Sequence, residues 1–370
     1  MIKASKGKRG DSMNTLMDCI IEIPEKLENI IDNRKIIEAA IINATEGESV
    51  QKVVVVGSGS SYNTAFTTKS FAESVCHIEV ELMYPSIFVE HYNLDLCDKD
   101  ALYIFISQGG HTKLVYEAIH NANELGLKTV SITESLDTPI ANEARTALEM
   151  GSVHETYIFR TLGFSTTCTV LYLVYITLGV HNRHIDPTLY EILIKDMTVM
   201  IHELPHIREA SNQYYAKHRA YFAKTDAYIF AGPGVLWPIA QEADIKFMEM
   251  LPSLTNSFEL EELIHGPQNM FTSNQGFFLL AHHENDVEKC RKIKNFIENE
   301  VKAHCMIISN TDDDDFKINT HSTYFFPLSY ITFFQVLAYH IATDRGRDLS
   351  KTMYAGLTHY INKTLQSEQL

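Results

Sequence analysis

The feature that most constrains the fold of this chain is a repeated unit of strand, small-residue turn and helix. In "KVVVVGSGSSYNTAF" a β-branched run leads through a glycine-rich turn into a helical stretch, and "ALYIFISQGGHTKLVYEAIH" follows the same succession. The unit returns in "DAYIFAGPGVLWPIAQEADIKFMEM" and in "GFFLLAHHENDVEKC". Because strands that alternate with helices form parallel sheets covered by helices, the sequence predicts two similar α/β halves.

The repeat also indicates how the chain divides into domains. A length of 370 residues fits about two domains. We expect an N-terminal leader with helices over 1–45, a first α/β domain over 46–190, a helical connection over 191–220, a second α/β domain over 221–355 and a tail over 356–370. The opening "MIKASKGKRGDSM" is basic but lacks a following apolar run, so it does not resemble a secretory signal, and Met13 is an alternative start.

The composition argues against several classes of function. The net charge of −16 argues against a nucleic-acid partner, since phosphate backbones are bound by clustered Lys and Arg. The six cysteines are scattered without a C-x-x-C pair, which predicts neither a disulfide framework nor a zinc site. The longest apolar run, "TVLYLVYITLGV", is too short to span a bilayer. We therefore expect a cytoplasmic protein with no membrane partner and no cofactor.

Two of the strand-to-helix turns carry hydroxyl and amide side chains. "GSGSS" spans 57–61, and "SQGGHT" spans 107–112. At such a junction the helix N-terminus points free N–H groups at an anion. The first turn lacks the third glycine of a dinucleotide loop and the lysine of a Walker A loop. Capping serines would account for either turn alone, but two turns at successive strand ends predict a sugar-phosphate site.

Carboxylates and a histidine recur late in the chain. "ELIHGP" places His265 against the rigid pair Gly266-Pro267, sixteen residues after Glu249 in "KFMEM". Taken alone, His-Gly-Pro is typical of a surface turn, and Glu249 is typical of an exposed helical carboxylate. "HHE" at 282–284 lacks the H-E-x-x-H spacing of a zinc site, and "DDDD" at 312–315 lacks EF-hand spacing. These two stretches therefore predict no metal site.

Six segments taken together resemble one family of proteins. "GSGSSY", "SQGGHT", "GFSTTCTVL", "EADIKFMEM", "ELIHGP" and "RDLSK" occur in the order and approximate spacing of sugar isomerase (SIS) double-domain proteins. The chain resembles the isomerase half of glucosamine-6-phosphate synthase and its stand-alone relatives, the fructosamine-6-phosphate deglycases and amino-sugar-phosphate deaminases. The resemblance implies an α/β fold of two SIS domains, each a flavodoxin-like three-layer αβα sandwich with a mainly parallel sheet.

The resemblance implies that the two turns bind the 6-phosphate of a sugar. The corresponding substrate-binding residues here are Ser61, Ser107, Gln108, Gly109 and Thr112. Gly109 stands where the family has a serine and His111 where it has an acidic residue, so this chain has one hydroxyl fewer. Leu162 in "FRTLGFSTT" stands where the synthase has a lysine. We therefore expect no catalytic role in that segment.

The resemblance also implies the catalytic groups. Glu249 corresponds to the glutamate that moves a proton between C1 and C2, and His265 corresponds to a ring-opening histidine supplied by the neighbouring protomer. Glu242 and Lys246, seven and three residues before Glu249, share its helical face and correspond to supporting residues. Lys351 corresponds to a lysine beside the substrate carbonyl, with a surface lysine as the alternative. The implied active unit is a homodimer with a composite site.

These correspondences imply an enzyme that processes sugar phosphates. The synthase itself is not expected, because the first cysteine, Cys19, lies in a helical segment and not at the start of a glutaminase domain. We expect a deglycase or deaminase that acts on an amino-substituted hexose 6-phosphate, of the fructosamine 6-phosphate or glucosamine 6-phosphate type. A plain aldose–ketose isomerase and a non-catalytic sugar-phosphate-sensing module are the alternatives. A sensor would need the phosphate turns but neither Glu249 nor His265.

Overall fold

Two five-stranded sheets flanked by helices form the framework of the computed structural model, which describes residues 15–152, 154–155 and 157–365. The strands are β1 (Lys52–Val56), β2 (Glu79–Met83), β3 (Leu102–Ile106), β4 (Lys128–Thr133), β5 (Thr146–Glu149), β6 (Ala227–Gly232), β7 (Leu254–Glu259), β8 (Gln275–Leu280), β9 (His304–Ser309) and β10 (Phe316–Lys317). The helices are α1 (Leu16–Asp32), α2 (Arg34–Ala44), α3 (Ser60–Ser74), α4 (Lys113–Glu124), α5 (Pro139–Glu143), α6 (Leu162–His181), α7 (Pro187–Phe222), α8 (Trp237–Met250), α9 (Glu284–Phe296) and α10 (Pro327–Asp344).

Both sheets are parallel and have the same strand order. The first sheet has the order β2-β1-β3-β4-β5, and the second has the order β7-β6-β8-β9-β10. The first strand of each half therefore lies between the second and third strands of that half. This is the flavodoxin-like strand order. The prediction of two α/β halves with flavodoxin-like parallel sheets is confirmed.

The strands form where the sequence offers continuous apolar runs. Residues 53–56 of β1 and all residues of β3 are buried. Such unbroken burial is expected of parallel strands that are covered by helices on both faces. Because β1 pairs with β3, the two hydroxyl-bearing turns leave neighbouring strands at the same edge of the sheet.

One apolar cluster runs through both halves of the chain. It joins β1 and α3 of the first half with β6, α8 and α10 of the second. Within it, the ring of Phe325 lies 5.2 Å from that of Phe71 in α3 and 4.8 Å from that of Tyr172 in α6. Helices α3 and α8 pack against each other at this shared core. This contact places the turn between β1 and α3 of the first half next to α8 of the second half.

Helix α6 lies in the interior of the protein. Among the described residues it is the one helix long and apolar enough to cross a membrane, but 94% of its most apolar 18-residue window is buried within the protein. Its neighbours are α1, α2 and α3. The apolar surface of α6 is therefore covered by the protein's own helices.

The helices before and between the sheets agree with the sequence pattern. Helices α1 and α2 lie before residue 45, and α7 spans residues 191–220, where the connection is predicted. The exact domain boundaries stay predictions. The leader before residue 15, the alternative start at Met13 and the end of the tail after residue 365 lie outside the described residues.

Candidate functional site

The first hydroxyl-bearing turn joins β1 directly to α3. Gly59 has a φ of 57°, in the left-handed region that glycine adopts without strain, and α3 begins at the next residue. A side chain on Gly57 would place its Cβ 3.1 Å from the Cβ of Ser61. The two glycines therefore let Ser60 and Ser61 approach the end of the strand. No described side chain caps this helix, so its N-terminal N–H groups can face an anion.

The second turn joins β3 to α4. Ser107 is buried, and its Oγ lies 2.8 Å from Oγ1 of Thr112. Thr112 is the N-cap of α4, yet its hydroxyl makes no capping bond to the described backbone. The space around the Cβ position of Gly109 is open, whereas a side chain on Gly110 would overlap Thr138. This turn therefore presents two linked hydroxyls beside the first turn.

A small cavity joins the two turns. Its lining comes from the first turn and α3, from the second turn, and from the start of α6: Ser60, Ser61, Thr64, Gln108, Met150, Gly163, Phe164 and Thr167. The predicted residues Ser61 and Gln108 thus meet at one place. A larger pocket lies elsewhere, among α2, α6 and α7, and none of the predicted site residues lines it.

Helix α8 brings the predicted carboxylates against the first turn. The buried Glu242 accepts hydrogen bonds from Ser60 Oγ at 2.8 Å and from Asn63 Nδ2 at 2.9 Å. Lys246 Nζ lies 3.5 Å from Glu242 Oε1 and 2.8 Å from Glu249 Oε2. Glu249 keeps 38% of its side chain exposed. A continuous series of polar contacts therefore runs from the turn of one half to an accessible carboxylate of the other.

The buried residues of this series act on one another's pKa values. Burial raises the pKa of Glu242, and the charge of Lys246 and the amide of Asn63 oppose that effect. Burial alone would lower the pKa of Lys246, but the charges of Glu249 and Glu242 outweigh it and hold this pKa above its ordinary value. Three donors face Glu242 and two carboxylates face Lys246, which compensates for much of their desolvation. The ammonium is therefore a fixed positive charge beside Glu249.

A buried carboxylate that sequence analysis did not single out lies next to the cavity. Glu155 Oε1 accepts from the N–H and hydroxyl of Thr161, at 2.9 and 3.1 Å, and from the N–H of Leu162 at 3.3 Å. Its Oε2 accepts from the N–H of Gly163 at 3.2 Å and from Nε2 of Gln108 at 3.1 Å. Glu155 thus caps α6 and holds the second turn. A carboxylate seven residues before a helix gives no periodic signal from which this role could have been predicted.

His265 lies in the exposed segment after β7. The side chain is 59% exposed, and its Nε2 lies 3.3 Å from Glu261 Oε1. It follows the short 3₁₀ turn Glu262–Ile264, and Gly266 after it has a φ of 132°. The contact described for this imidazole is with Glu261 and not with the groups of α8. The predicted pair His265 and Glu249 is therefore not joined by a contact within the described residues of one chain.

Lys351 is also exposed, and it pairs with Asp348 at 2.8 Å. In the part of the chain that the structure describes, Lys351 makes no ion pair or hydrogen bond with the two turns or with α8. The tail beyond it does reach the site. The N–H of Lys113, at the start of α4, donates to the carbonyl oxygen of Lys363 at 3.0 Å. The structure thus places 363–365 along the second turn, an arrangement that the sequence did not predict.

The second half repeats the geometry of the first turn without its hydroxyls. Gly234 has a φ of 50°, and a side chain on Gly232 would meet Leu236, as one on Gly57 would meet Ser61. The residues from 232 to 236 are Gly-Pro-Gly-Val-Leu. Apolar side chains therefore stand where the first half has serines, and only the first half offers hydroxyls for an anion at this position.

The "HHE" stretch after β8 lies in an apolar setting. His282 stacks on Phe326 with 3.7 Å between ring centroids, and its Nδ1 lies 3.2 Å from the hydroxyl oxygen of Tyr330. Burial lowers the pKa of His282 to about 4, so the ring is neutral. Among the described residues, no group of three or more His, Cys, Asp or Glu side chains is placed to hold a metal ion.

Residues 48–178 match the family model of the SIS domain. This stretch contains the first sheet, both hydroxyl-bearing turns, Glu155 and most of α6. The first half of the chain is therefore an SIS domain, and the resemblance predicted from the motifs is confirmed.

Longer similarities extend over almost the whole chain. An alignment of 370 residues with a glutamine–fructose-6-phosphate aminotransferase (isomerizing) from Symbiobacterium thermophilum shows 24% identity. The alignment covers 94% of this chain and 59% of that protein. The chain thus spans only part of the length of such relatives. The solved C-terminal domain of glucosamine-fructose-6-phosphate aminotransferase from Francisella tularensis is 17% identical with a TM-score of 0.79, covering 92% of this chain and 99% of that one.

A second solved structure shares the fold with similarly low sequence identity. Glucosamine-6-phosphate deaminase from Thermotoga maritima is 19% identical with a TM-score of 0.75, covering 95% of this chain and 98% of that one. At these identities the structures establish the common fold of both halves. The chemistry performed on that fold has to be argued from the site.

Proposed function

We propose that this chain, whose residues 48–178 form an SIS domain, is a phosphosugar-processing enzyme of the isomerase type. Its substrate is an amino-substituted hexose 6-phosphate, of the fructosamine 6-phosphate or glucosamine 6-phosphate type, and its products are a hexose 6-phosphate and a free amine. The SIS match, the similarity to an isomerizing aminotransferase and the fold shared with a glucosamine-6-phosphate deaminase support this proposal.

One observation carries the proposal: the contact series from the first turn to Glu249. Ser60 bonds Glu242, Glu242 contacts Lys246, and Lys246 contacts Glu249. A phosphate bound at the N-termini of α3 and α4, by Ser61, Ser107 and Thr112, therefore has the accessible carboxylate of Glu249 beside its sugar. A module that only senses sugar phosphates needs the turns but has no use for an accessible carboxylate held by a buried lysine.

In this mechanism Glu249 is the acid–base group. With a fructosamine 6-phosphate, its carboxylate takes a proton from C1, and the electron pair of that C–H bond forms a double bond between C1 and C2. The π pair of the C2 carbonyl moves to its oxygen, which takes a proton from solvent, so the intermediate is an enediol-type enaminol. The same carboxyl group, whose proton exchanges in part with solvent, then protonates C2 while the nitrogen lone pair forms the imine at C1. Water hydrolyses the imine to the aldose 6-phosphate and the amine. A carboxylate suits this step because it can take and return one proton repeatedly.

The remaining residues support that transfer. The ammonium of Lys246 donates a hydrogen bond to Glu249 Oε2 at 2.8 Å and so holds the direction of this carboxylate. His265, exposed and free of α8 contacts in the described chain, serves ring opening in the site of a neighbouring protomer. The active unit is accordingly a homodimer with composite sites. No described contact supports a catalytic role for Lys351.

A substrate screen tests the proposal. Purified protein is incubated with a fructosamine 6-phosphate, with glucosamine 6-phosphate and with fructose 6-phosphate, while hexose 6-phosphate and free amine are both measured. We expect equal amounts of hexose 6-phosphate and amine from at least one amino compound. Interconversion of fructose and glucose 6-phosphates without amine release would identify a plain isomerase instead. Binding of hexose 6-phosphates without turnover of any compound would identify a sensing module.

A further inference from the structure

Two carboxylates hold the side-chain amide of Gln108. Its Nε2 lies 3.1 Å from Glu155 Oε2 and 3.5 Å from Glu134 Oε2. An ionised carboxylate can only accept hydrogen bonds, whereas an amide has a donor end and an acceptor end. The NH₂ of Gln108 must therefore face the carboxylates, and its carbonyl Oε1 must face away from them. The chemistry of its partners fixes the orientation of this amide.

The carbonyl end of the Gln108 amide lies against Gly163, a residue that lines the small cavity. A side chain on Gly163 would overlap Oε1, so the amide packs directly on the backbone at the start of α6. Gln108 and Gly163 line the cavity together with Ser61. Within the part of the chain that the structure describes, the hydrogen bonds of this amide are made by Nε2, and none is made to Oε1. This oxygen therefore keeps its capacity to accept a hydrogen bond.

We propose that Glu155 is a positioning residue that turns Gln108 so that its carbonyl oxygen, and not its NH₂, faces the ligand. Gln108 then accepts a hydrogen bond from a sugar hydroxyl and does not donate one to the phosphate. Ser61, Ser107, Thr112 and the backbone N–H groups of the two turns bind the phosphate. Glu155 thereby helps the site to distinguish a sugar phosphate from free phosphate. The inference rests on the proposed function.

Glu155 is well held for this task. Glu155 is 1% exposed, and Thr161 with the first two residues of α6 supplies three backbone N–H groups and a hydroxyl to its oxygens. These bonds leave Oε2 with a fixed direction toward Gln108. The negative charge of Glu155 also acts on Lys246 of α8. The carboxylate therefore lies where the second turn, the start of α6 and the catalytic helix come together.

The variant Glu155→Gln tests the inference in the full-length protein. An amide at this position offers an NH₂ to Gln108 and leaves only the longer, 3.5 Å contact of Gln108 Nε2 with Glu134 Oε2, so the Gln108 amide is expected to rotate and present its own NH₂ to the cavity. Calorimetry then compares fructose 6-phosphate with inorganic phosphate. We expect the Kd for fructose 6-phosphate to rise about tenfold, the scale of one hydrogen bond. The Kd for inorganic phosphate should stay within about twofold, because its donors are unchanged.

Two further variants separate positioning from general destabilisation. Asp196→Asn is the matched control, since Asp196 accepts from the hydroxyl of Ser322 and the N–H groups of Thr323 and Tyr324 away from the cavity. It should leave the ratio of the two Kd values unchanged. In Gln108→Leu the Kd for inorganic phosphate divided by the Kd for fructose 6-phosphate should fall about as far as in Glu155→Gln. The double variant should show no larger fall than either single variant.

The outcomes distinguish the inference from the function beneath it. If the wild type does not prefer fructose 6-phosphate to inorganic phosphate, the proposed function is wrong and the inference falls with it. If the wild type shows the preference and Glu155→Gln keeps it, the inference alone is wrong. Equal losses for both ligands, or additive losses in the double variant, would also overturn it, because Glu155 would then act only through the stability of α6.

Discussion

Glu249 depends on a lysine that the protein keeps from water. Lys246 is buried between Glu242 and Glu249, and its pKa is held above the ordinary value by these carboxylates despite its burial. The sequence predicted this set because spacings of seven and three residues place side chains on one helical face. It could not predict Ser60 and Asn63, which reach Glu242 across 182 and 179 residues of chain.

The hydroxyls of the two turns are tested one by one. We expect Ser61→Ala and Ser107→Ala each to weaken the binding of fructose 6-phosphate by about 1.5–3 kcal/mol, the scale of a hydrogen bond to a charged group. Calorimetry gives this quantity directly. Ser70→Ala is the control, since Ser70 is an exposed serine further along α3. Unchanged affinity in both variants would show that the phosphate does not bind at these turns.

Helices α3 and α8 occupy corresponding positions in the two similar halves but carry different polar groups. Each follows the first strand of its half through a turn with a glycine of positive φ. In α3 the turn offers serines, whereas in α8 the turn is apolar and the helix body carries the carboxylates. The strand and helix pattern predicted both elements. Their contact could not be predicted, because it depends on how the two halves pack at the shared core.

The buried charges of α8 are tested by Lys246→Met. Removing one partner of a buried ion pair leaves Glu242 uncompensated, so we expect a loss of about 3–5 kcal/mol in the free energy of unfolding at neutral pH. The pKa of Glu242 in the folded protein should rise further. An acid whose pKa is higher in the folded than in the unfolded protein stabilises the fold fully below its unfolded pKa, roughly 4.3 for a glutamate. This stabilisation is lost as the pH rises through the folded pKa. The deficit should therefore be smallest near that pH and grow toward pH 8.

Denaturant unfolding at several pH values measures this deficit. Lys217→Met is the matched control, because Lys217 lies exposed on α7. It should change the free energy of unfolding by no more than about 0.5 kcal/mol. A deficit for Lys246→Met that shrinks toward alkaline pH would mean that Glu242 is not the group left uncompensated.

The whole molecule is predicted to work as a dimer. Within one chain, the described contact of His265 is with Glu261, and Glu249 belongs to the polar series of α8. We expect a mixture of Glu249→Gln and His265→Ala, each inactive alone, to regain activity after mild dissociation and reassociation. Random pairing makes about half of the dimers mixed, and each has one intact site of two, so activity should approach about a quarter of wild type.

Mass measurement establishes whether mixed dimers have formed. A mixture that contains them and stays inactive would show that His265 acts within its own chain. A wild-type protein that is fully active as a monomer would contradict the composite site equally. Mixing wild type with either variant is the control for the exchange of protomers.

At the scale of the whole chain, the sequence predicted the fold more completely than the site. Strand and helix periodicity, with the motif order, was enough for two parallel sheets in the flavodoxin-like order. The place of Glu155 and the course of residues 363–365 along the second turn were missed. Both depend on irregular segments whose conformation is set by their partners and not by a local period.

The central claim is that Glu249 moves a proton between C1 and C2 of a hexose 6-phosphate. The most direct measurement is the incorporation of solvent deuterium at C1 or C2, followed by NMR with the wild type and with Glu249→Gln. We expect the wild type to exchange deuterium into the sugar, and the variant to do so roughly 10²–10⁴-fold more slowly while binding it with unchanged affinity. Exchange at the wild-type rate in Glu249→Gln, or none in the wild type, would contradict the account.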